Sequence, residues 1–459
     1  MKNLTFFLAS LILCFSIAHS QVPNVPIPLT VGPTPTYVNG YFSFTHNDYR
    51  LIVTTLGIDQ NFNGQEDSGD VKPALYFISI NDVMNGDFSG KVLKELDFAS
   101  LPFPTRIYID NIGNNAYVPN KQKIDKILLE TGDIIASFNP FQNVQIPNDA
   151  YITSVNYANG YIFISVRGAD GTFNQFYIIK ENTNEMVFET ATEPNPQQSL
   201  IAGNYLFILC EGVFGSNNSK LMVYRIKDFD QWEIEFVNTL ELGDTGNHLA
   251  LAGSDKLIVT MNGSHQIHII NIPDLTIEKT IATPTSGYDG PRESGIVAGN
   301  TIVTTAYDGN LHMFDFNGKN LGKIIVGDKL EGIFTYTFPN PNMNFNIVAA
   351  TSPFEKNYSA NDKVYLFVNF SDVEESNINT LNIYPNPASE FIALSFESDF
   401  QYPINISIID NFGRVVAEYN FNLAGKDISI PAKDLPVGSY VARIVANGKI
   451  LNLPFVIVR

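Results

Sequence analysis

The sequence predicts an all-β protein in two units, a ring of repeated four-stranded sheets followed by a small β-sandwich. Three observations predict it. Helical periodicity is nearly absent from Tyr41 to Phe370, where short alternating strand patterns recur. A turn unit repeats along that stretch, its glycines at 113, 160, 203, 253 and 299 spaced 47, 43, 50 and 46 residues apart. After a polar stretch, residues 378–459 carry a second and different series of short strands. The 34 Phe, 21 Tyr, 32 Gly and 25 Pro of the 459-residue chain fit strands joined by turns.

The repeat reads most clearly at Ala252-Gly253-Ser254-Asp255-Lys256-Leu257-Ile258-Val259-Thr260 and Ala298-Gly299-Asn300-Thr301-Ile302-Val303-Thr304-Thr305. Other copies start at Ala202-Gly203 and Ala158-Asn159-Gly160, with a weaker one at Ile112-Gly113-Asn114. Each turn is followed by a second apolar run ending in Asp or Asn, as in Ile267-His268-Ile269-Ile270-Asn271, and then by another strand, as in Glu278-Lys279-Thr280-Ile281. Four strands in roughly 40–50 residues is the period of a β-propeller blade. Counting predicts seven blades, near 38–98, 105–140, 149–190, 195–242, 243–284, 288–327 and 328–370, within a propeller domain spanning 21–370. The seventh lacks an obvious fourth strand. Residues 26–32, whose Ile27-Pro28-Leu29-Thr30-Val31-Gly32 resembles the fourth strand Lys323-Ile324-Ile325-Val326-Gly327, are predicted to supply it and close the ring. Pro26 and Pro28 suit only an outer edge strand, because proline cannot donate to a ladder.

These blades resemble the seven-bladed propellers of surface-layer and YVTN-repeat type. The sixth matches best, through Gly290-Pro291-Arg292-Glu293, Ile302-Val303-Thr304-Thr305-Ala306-Tyr307-Asp308-Gly309-Asn310-Leu311 and Val326-Gly327, and the fifth is close behind. The first and seventh depart most. The resemblance implies a fold rather than an activity, since such rings bind, scaffold and catalyse alike.

Residues 371–377 read as a linker, and the segment after them carries Tyr384-Pro385-Asn386-Pro387, Asp410-x-x-Gly413-Arg414 and Leu435-Pro436-x-Gly438-x-Tyr440 between alternating strands. About seven short strands with regular turns predict an immunoglobulin-like sandwich over 378–459. The order of motifs resembles the type A C-terminal sorting domain of the type IX secretion system. That resemblance implies a partner, the type IX machinery, together with passage across the outer membrane and a secreted or surface-attached product. At the other end, residues 1–20 read as a signal peptide: Lys2, an apolar run from Leu4 to Ala18, and a cleavable Ala18-His19-Ser20. The run is too short for a membrane span. Leu13 stands where a lipoprotein signal ending at Cys14 needs a small residue. Cys210, in an apolar run, reads as a buried, inert thiol.

With 28 basic against 47 acidic residues the chain carries −19. Residues 376–459 hold 6 of the basic and 7 of the acidic groups, so nearly all the excess acid lies on the propeller region. Such a surface repels phosphate backbones and anionic headgroups, arguing against nucleic-acid or membrane-surface partners.

In a propeller, the loops joining one blade to the next share a face with those joining the second and third strands of each blade. The first set is rich in functional groups: Asn148-Asp149, Gln197-Gln198, Asn247-His248, Tyr288-Asp289-Gly290-Pro291-Arg292-Glu293 and Lys329-Leu330-Glu331. They predict a polar funnel on the axis, with His248, Tyr288, Arg292, Glu293 and Glu331 as ligand-binding candidates. The competing reading is structural, an Arg–Glu pair joining adjacent blades. The sharpest local motif is the insertion Asp59–Asp70 in blade one. Asp59, Asn61, Asn63, Gln65, Asp67 and Asp70 supply side-chain oxygens around Gly64 in the order of a calcium loop, although Asp replaces the usual final Glu and no helices flank it. Calcium is therefore the predicted cofactor, in a structural role. His46, His265, His268 and His312 have no metal-ligand spacing, His265 and His268 falling on opposite faces of one strand. No nucleophile elbow, phosphate loop or dinucleotide fingerprint occurs.

The leading expectation is a secreted or surface-attached, calcium-stabilised propeller that binds a nutrient, a glycan or a neighbouring surface protein without catalysis. The alternative is a hydrolase or lactonase-like enzyme with a metal in the central funnel, which requires a metal held on the axis by several blades. A purely structural coat component would self-associate and show no pocket.

Overall fold

The computed structural model describes residues 26–458 apart from 44, 47, 62–64, 99–105, 111–113, 229–232, 339–342, 373–380, 386–387, 397–403, 411–414, 422–426 and 447–448. The proposed signal peptide, Asn63, the turn glycine Gly113 and most of the expected linker therefore lie outside the described residues. Among the described residues up to Asp372 there are seven antiparallel sheets of four strands. The fifth, Gly246–Ala252, Lys256–Met261, Gln266–Asn271 and Thr276–Ala282, shows the plan: each strand pairs with the next in sequence. The repeat glycines 160, 203, 253 and 299 sit in the hairpins between the first and second strands, all at positive φ between 55° and 78°. Glycine holds that conformation without the Cβ clash of other residues, hence its recurrence.

Burial follows strand position. The second strands, such as Tyr161–Arg167, are buried on both faces, which is why they read as continuous apolar runs rather than alternating ones. The fourth strand Thr276–Ala282 is mostly exposed. Apolar side chains gather in seven clusters, each drawn from two consecutive sheets. The clusters run from the first and second sheets (Ile52, Leu75, Ile109, Ile127) round to the sixth and seventh (Val303, Met313, Val348, Phe367). One more joins the seventh sheet to the first (Val38, Leu51, Leu29, Ile347, Leu366). Consecutive first strands touch, and the last, Ile333–Phe338, touches the first, Pro35–Ser43. That is a closed propeller. At two points neighbouring first strands pack too closely for a side chain: a Cβ on Gly40 would lie 2.6 Å from the Phe334 ring, and one on Gly295 2.5 Å from Thr335.

The seventh sheet takes its outer strand from the start of the chain. Ile27–Thr30 pairs antiparallel with Ala360–Asp372, Leu29 opposite Val364 and Pro28 opposite Tyr365 on the outer edge. The same strand reaches the first sheet, the Thr30 N–H donating to the Phe88 carbonyl at 2.9 Å and the Gly90 N–H to the Thr30 carbonyl at 2.7 Å. Two expectations are corrected, and one short element is added to them. The strand Ala360–Asp372 absorbs Ser371 and Asp372, assigned above to the linker. A short helix, Ile80–Met84, lies between the third and fourth strands of the first sheet, its first turn capped by the Ser79 hydroxyl. His265 sits in a turn at φ 54°, not on the strand that carries His268.

The C-terminal region packs a three-stranded sheet (Leu381–Tyr384, Phe391–Phe396, Asp427–Pro431) on a four-stranded one (Val415–Phe421, Ile404–Asp410, Gly438–Ala446, Lys449–Ile457). Ile392, Leu394, Ile428 and Ile430 from the first meet Ile406, Ile408, Ile444 and Phe455 from the second. The motif Leu435-Pro436-x-Gly438-x-Tyr440 has a physical role here. Leu435 and Tyr440 enter the core, and the Tyr440 hydroxyl donates to the Pro436 carbonyl at 2.8 Å, pinning the corner before the strand.

Deleting residues 26–33 removes the buried Leu29 and leaves Ala360–Asp372 an open edge. The melting temperature is expected to fall by roughly 5 °C or more, since losing one buried leucine alone costs about 2–5 kcal/mol. An unchanged melt in calorimetry would refute a closing role for this strand.

Candidate functional site

On the axis of the ring lies a cavity of about 410 Å³, walled by residues from the first strands of all seven sheets or the turns leading into them. The linings include Tyr37 and Asn39, Arg106 and Tyr108, Asn156, Gln198, His248, Glu293 and Phe334. Many side chains here also lace neighbouring blades together. Gln198 holds Leu249 from both sides, its carbonyl oxygen accepting from the Leu249 N–H at 2.8 Å and its amide donating to the Leu249 carbonyl at 3.1 Å. Asn156 donates to the Ser199 carbonyl at 3.2 Å, Asn247 to the Arg292 carbonyl at 2.6 Å, and the Ile296 N–H to the Thr335 hydroxyl at 3.1 Å. Apart from a short parallel bridge between Arg106 and Ser154, these contacts between neighbouring blades run through polar side chains.

The charges at this hub are paired. Arg106, in the approach to the second blade, forms an ion pair with Glu293 of the sixth, and also donates through Nη2 to the Asn247 carbonyl at 2.9 Å. Glu293 accepts in addition from the Ile333 N–H at 3.0 Å, so one carboxylate joins three parts of the ring. Arg292 grips Glu331 with two bonds of 2.9 Å and lies 4.7 Å above the centre of the Tyr307 ring. Burial works against the Arg292 charge, but Glu331 and Tyr307 hold its pKa above the ordinary arginine value. Burial, then the Glu331 carboxylate, push the Tyr307 hydroxyl well up. His248 approaches Glu293 at 3.8 Å, yet burial and then the Arg106 charge drive its pKa well below the usual histidine range. Its Nδ1 accepts from the Ser294 N–H at 3.3 Å, which assigns the ring proton to Nε2. Burial also lifts the Tyr37 hydroxyl to about 12.

Of the five ligand candidates, His248 and Glu293 line the cavity, while Arg292 and Glu331 form a bridge between the sixth and seventh blades. Tyr288 does not reach the axis. It is 79% exposed and stacks on Phe214, itself 55% exposed, with ring centres 5.8 Å apart. The sequence reading missed Arg106. A signal existed: it precedes its blade's first strand, as Arg292 and Glu293 begin theirs, but that strand, Tyr108–Asp110, is three residues long and hides the repeat.

In the Asp59–Asp70 insertion, described except for residues 62–64, the Asp67 and Asp70 carboxylates accept hydrogen bonds from within the loop. Asp70 accepts from the Gln60 and Asp67 N–H groups at 2.9 and 2.8 Å, and Asn61 donates to Asp67 at 2.7 Å. Among the described residues, no group of three or more His, Cys, Asp or Glu is placed to hold a metal ion. Ser43, His46 and Glu130 also meet, but not as a catalytic triad. Ser43 and Glu130 both contact the same nitrogen, Nδ1, at 3.1 and 2.9 Å, and Ser43 donates directly to Glu130 at 2.7 Å.

The second unit decides the destination of the chain. Residues 382–458 match the secretion system C-terminal sorting domain. The match begins one residue after the start of the first sandwich strand, Leu381–Tyr384. The sorting domain is the region that engages the type IX machinery, so the protein is exported and is secreted or held at the outer surface. No helix among the described residues is long and apolar enough to cross a membrane. No curated protein matches the chain.

His248 and His268 are both held below the ordinary histidine pKa, chiefly by burial. Their unfolded forms take up protons near pH 6.5, their folded forms only at lower pH. The stability gained by keeping them neutral is complete above about pH 6.5 and is lost as the pH falls below it, by up to about 1.4 kcal/mol per unit for each. Melting temperatures are expected to drop between pH 6.5 and 5. A His248→Gln, His268→Gln double variant should show a shallower slope, and an equal slope would contradict the assignment.

Proposed function

We propose that this exported propeller is a recognition protein that captures a ligand in its axial cavity and does not transform it. One observation carries the reading: seven blades converge on a single concave chamber with a mixed polar and apolar wall, of a size usual for small-molecule sites. The pairing of Arg106 with Glu293 supports binding over catalysis, because both groups are engaged with each other rather than poised beside a nucleophile. Residues 1–20 act as the signal peptide in this reading. The sorting domain then delivers the propeller to the outer surface, where capture is useful.

Arg292→Ala is a poor test, because it strands the buried Glu331 carboxylate at a cost of about 3–5 kcal/mol. Tyr37→Phe and His248→Gln alter the chamber more gently. In a thermal-shift screen of nutrients and surface glycans, a true ligand at a hundredfold excess over its Kd stabilises the wild type by about 2.7 kcal/mol. Both variants are expected to bind it at least tenfold more weakly. Full affinity in both would place the site elsewhere.

We also propose that Asp59, Asn61, Asn63, Gln65, Asp67 and Asp70 hold a structural calcium ion. The carboxylates of Asp67 and Asp70, only three residues apart and both accepting within the loop, support this reading. Calcium is expected to raise the melting temperature of the wild type and not of an Asp67→Asn, Asp70→Asn variant. Calorimetry showing no uptake at millimolar calcium would end the idea.

A further inference from the structure

We infer that the axial cavity takes a neutral saccharide of one or two rings; this rests on the proposed reading of the cavity as the ligand site. The wall is charged but balanced. Arg106 and Glu293 both line it and are paired directly with each other, so an anion entering meets the Glu293 carboxylate beside the guanidinium and a cation meets the guanidinium beside the carboxylate. Either ion would give up its hydration without a surplus of opposite charge to replace it. A neutral ligand avoids that cost.

Hydrogen-bonding capacity is nevertheless left over: the Ser154 and Ser199 hydroxyls of the wall, which can donate or accept, are without partners, and three further groups are donors. Arg106, only 5% exposed, has an Nε with no hydrogen-bond partner. Tyr37 accepts from the Asn39 amide at 3.0 Å, which leaves its own proton free to donate. His248, accepting at Nδ1, carries its proton on Nε2. Uncharged acceptor oxygens, as in hydroxyl and ether groups, satisfy such donors, which are costly to leave unmet when buried. Beside them, Tyr108 and Phe334 present aromatic surface to the same space. A hydrocarbon would leave the donors unmet, and a simple polyol would leave the rings wet. A sugar ring has hydroxyl edges and a C–H face, and so meets both. At about 410 Å³ the chamber lies towards the small end of ligand sites, which limits the sugar to a short one.

The test is titration calorimetry on the purified secreted protein, with a panel of neutral mono- and disaccharides beside the uronic acid and amino sugar of the same rings. A neutral sugar is expected to bind, with both charged counterparts at least tenfold weaker. Arg106→Lys keeps the charge facing Glu293 but loses the Nε donor, and should weaken the neutral sugar about tenfold. Ala250→Trp, which fills the chamber from its wall, should abolish binding. Should Ala250→Trp not fold, Arg106→Lys alone decides. A uronic acid or amino sugar that binds as tightly as its neutral counterpart overturns the inference, and so does a panel in which no neutral sugar binds. If a charged or non-sugar compound binds the wild type but not Ala250→Trp, the cavity is a ligand site and only the saccharide assignment fails.

Discussion

Every sheet of this propeller has two apolar faces and can bury them only against its neighbours, so the ring has to close. The closing contact is the pairing of Ile27–Thr30 with Ala360–Asp372, together with the cluster of Leu29, Val38, Leu51, Ile347 and Leu366 that spans the seventh and first sheets. Without it, two apolar faces and a strand edge would meet water at one place, inviting other chains to pair. The remaining sheets hold the geometry, but this contact makes the geometry a ring. It also couples the first and last parts of the propeller, across more than 300 residues of sequence.

Closure has a consequence for the hub. Seven first strands arranged around an axis do not join into one sheet, and side chains such as Gln198, Asn156, Asn247 and Thr335 form links between blades. The same constraint sets the electrostatics. Charged groups brought to a crowded centre survive only as pairs, and Arg106 with Glu293 and Arg292 with Glu331 are such pairs. Structural and recognition roles therefore fall to the same residues. A wall built to hold blades together also determines which ligands it can accept.

Much of the fold was legible because its signals are local. The repeat glycines mark hairpins that need positive φ, and the apolar runs mark strands buried on both faces. Even the donor of the seventh blade's outer strand could be read, since Ile27–Thr30 shares its pattern with another outer strand. The sorting domain was legible for a similar reason, one of its motifs being the corner pinned by Tyr440. The site was less so. His248 and Glu293 could be placed near the axis from their position at blade entrances, but Tyr288, in the loop that leads into the strand of Arg292, turns out to the surface against Phe214. Arg106 went unnoticed because its blade has the shortest first strand. His265 was misplaced by a single residue at a turn, enough to take it off the strand.

By itself, the sequence determined the all-β class, the repeat period, the strand that closes the ring and the export address, because each depends on patterns within a few tens of residues. Tertiary structure alone decided which charges meet. Arg106 finds Glu293 across 187 residues, and whether a glutamate is a free ligand group or half of an ion pair depends on that meeting. Blade order brings such partners together through space, and no spacing along the chain records the distance between them.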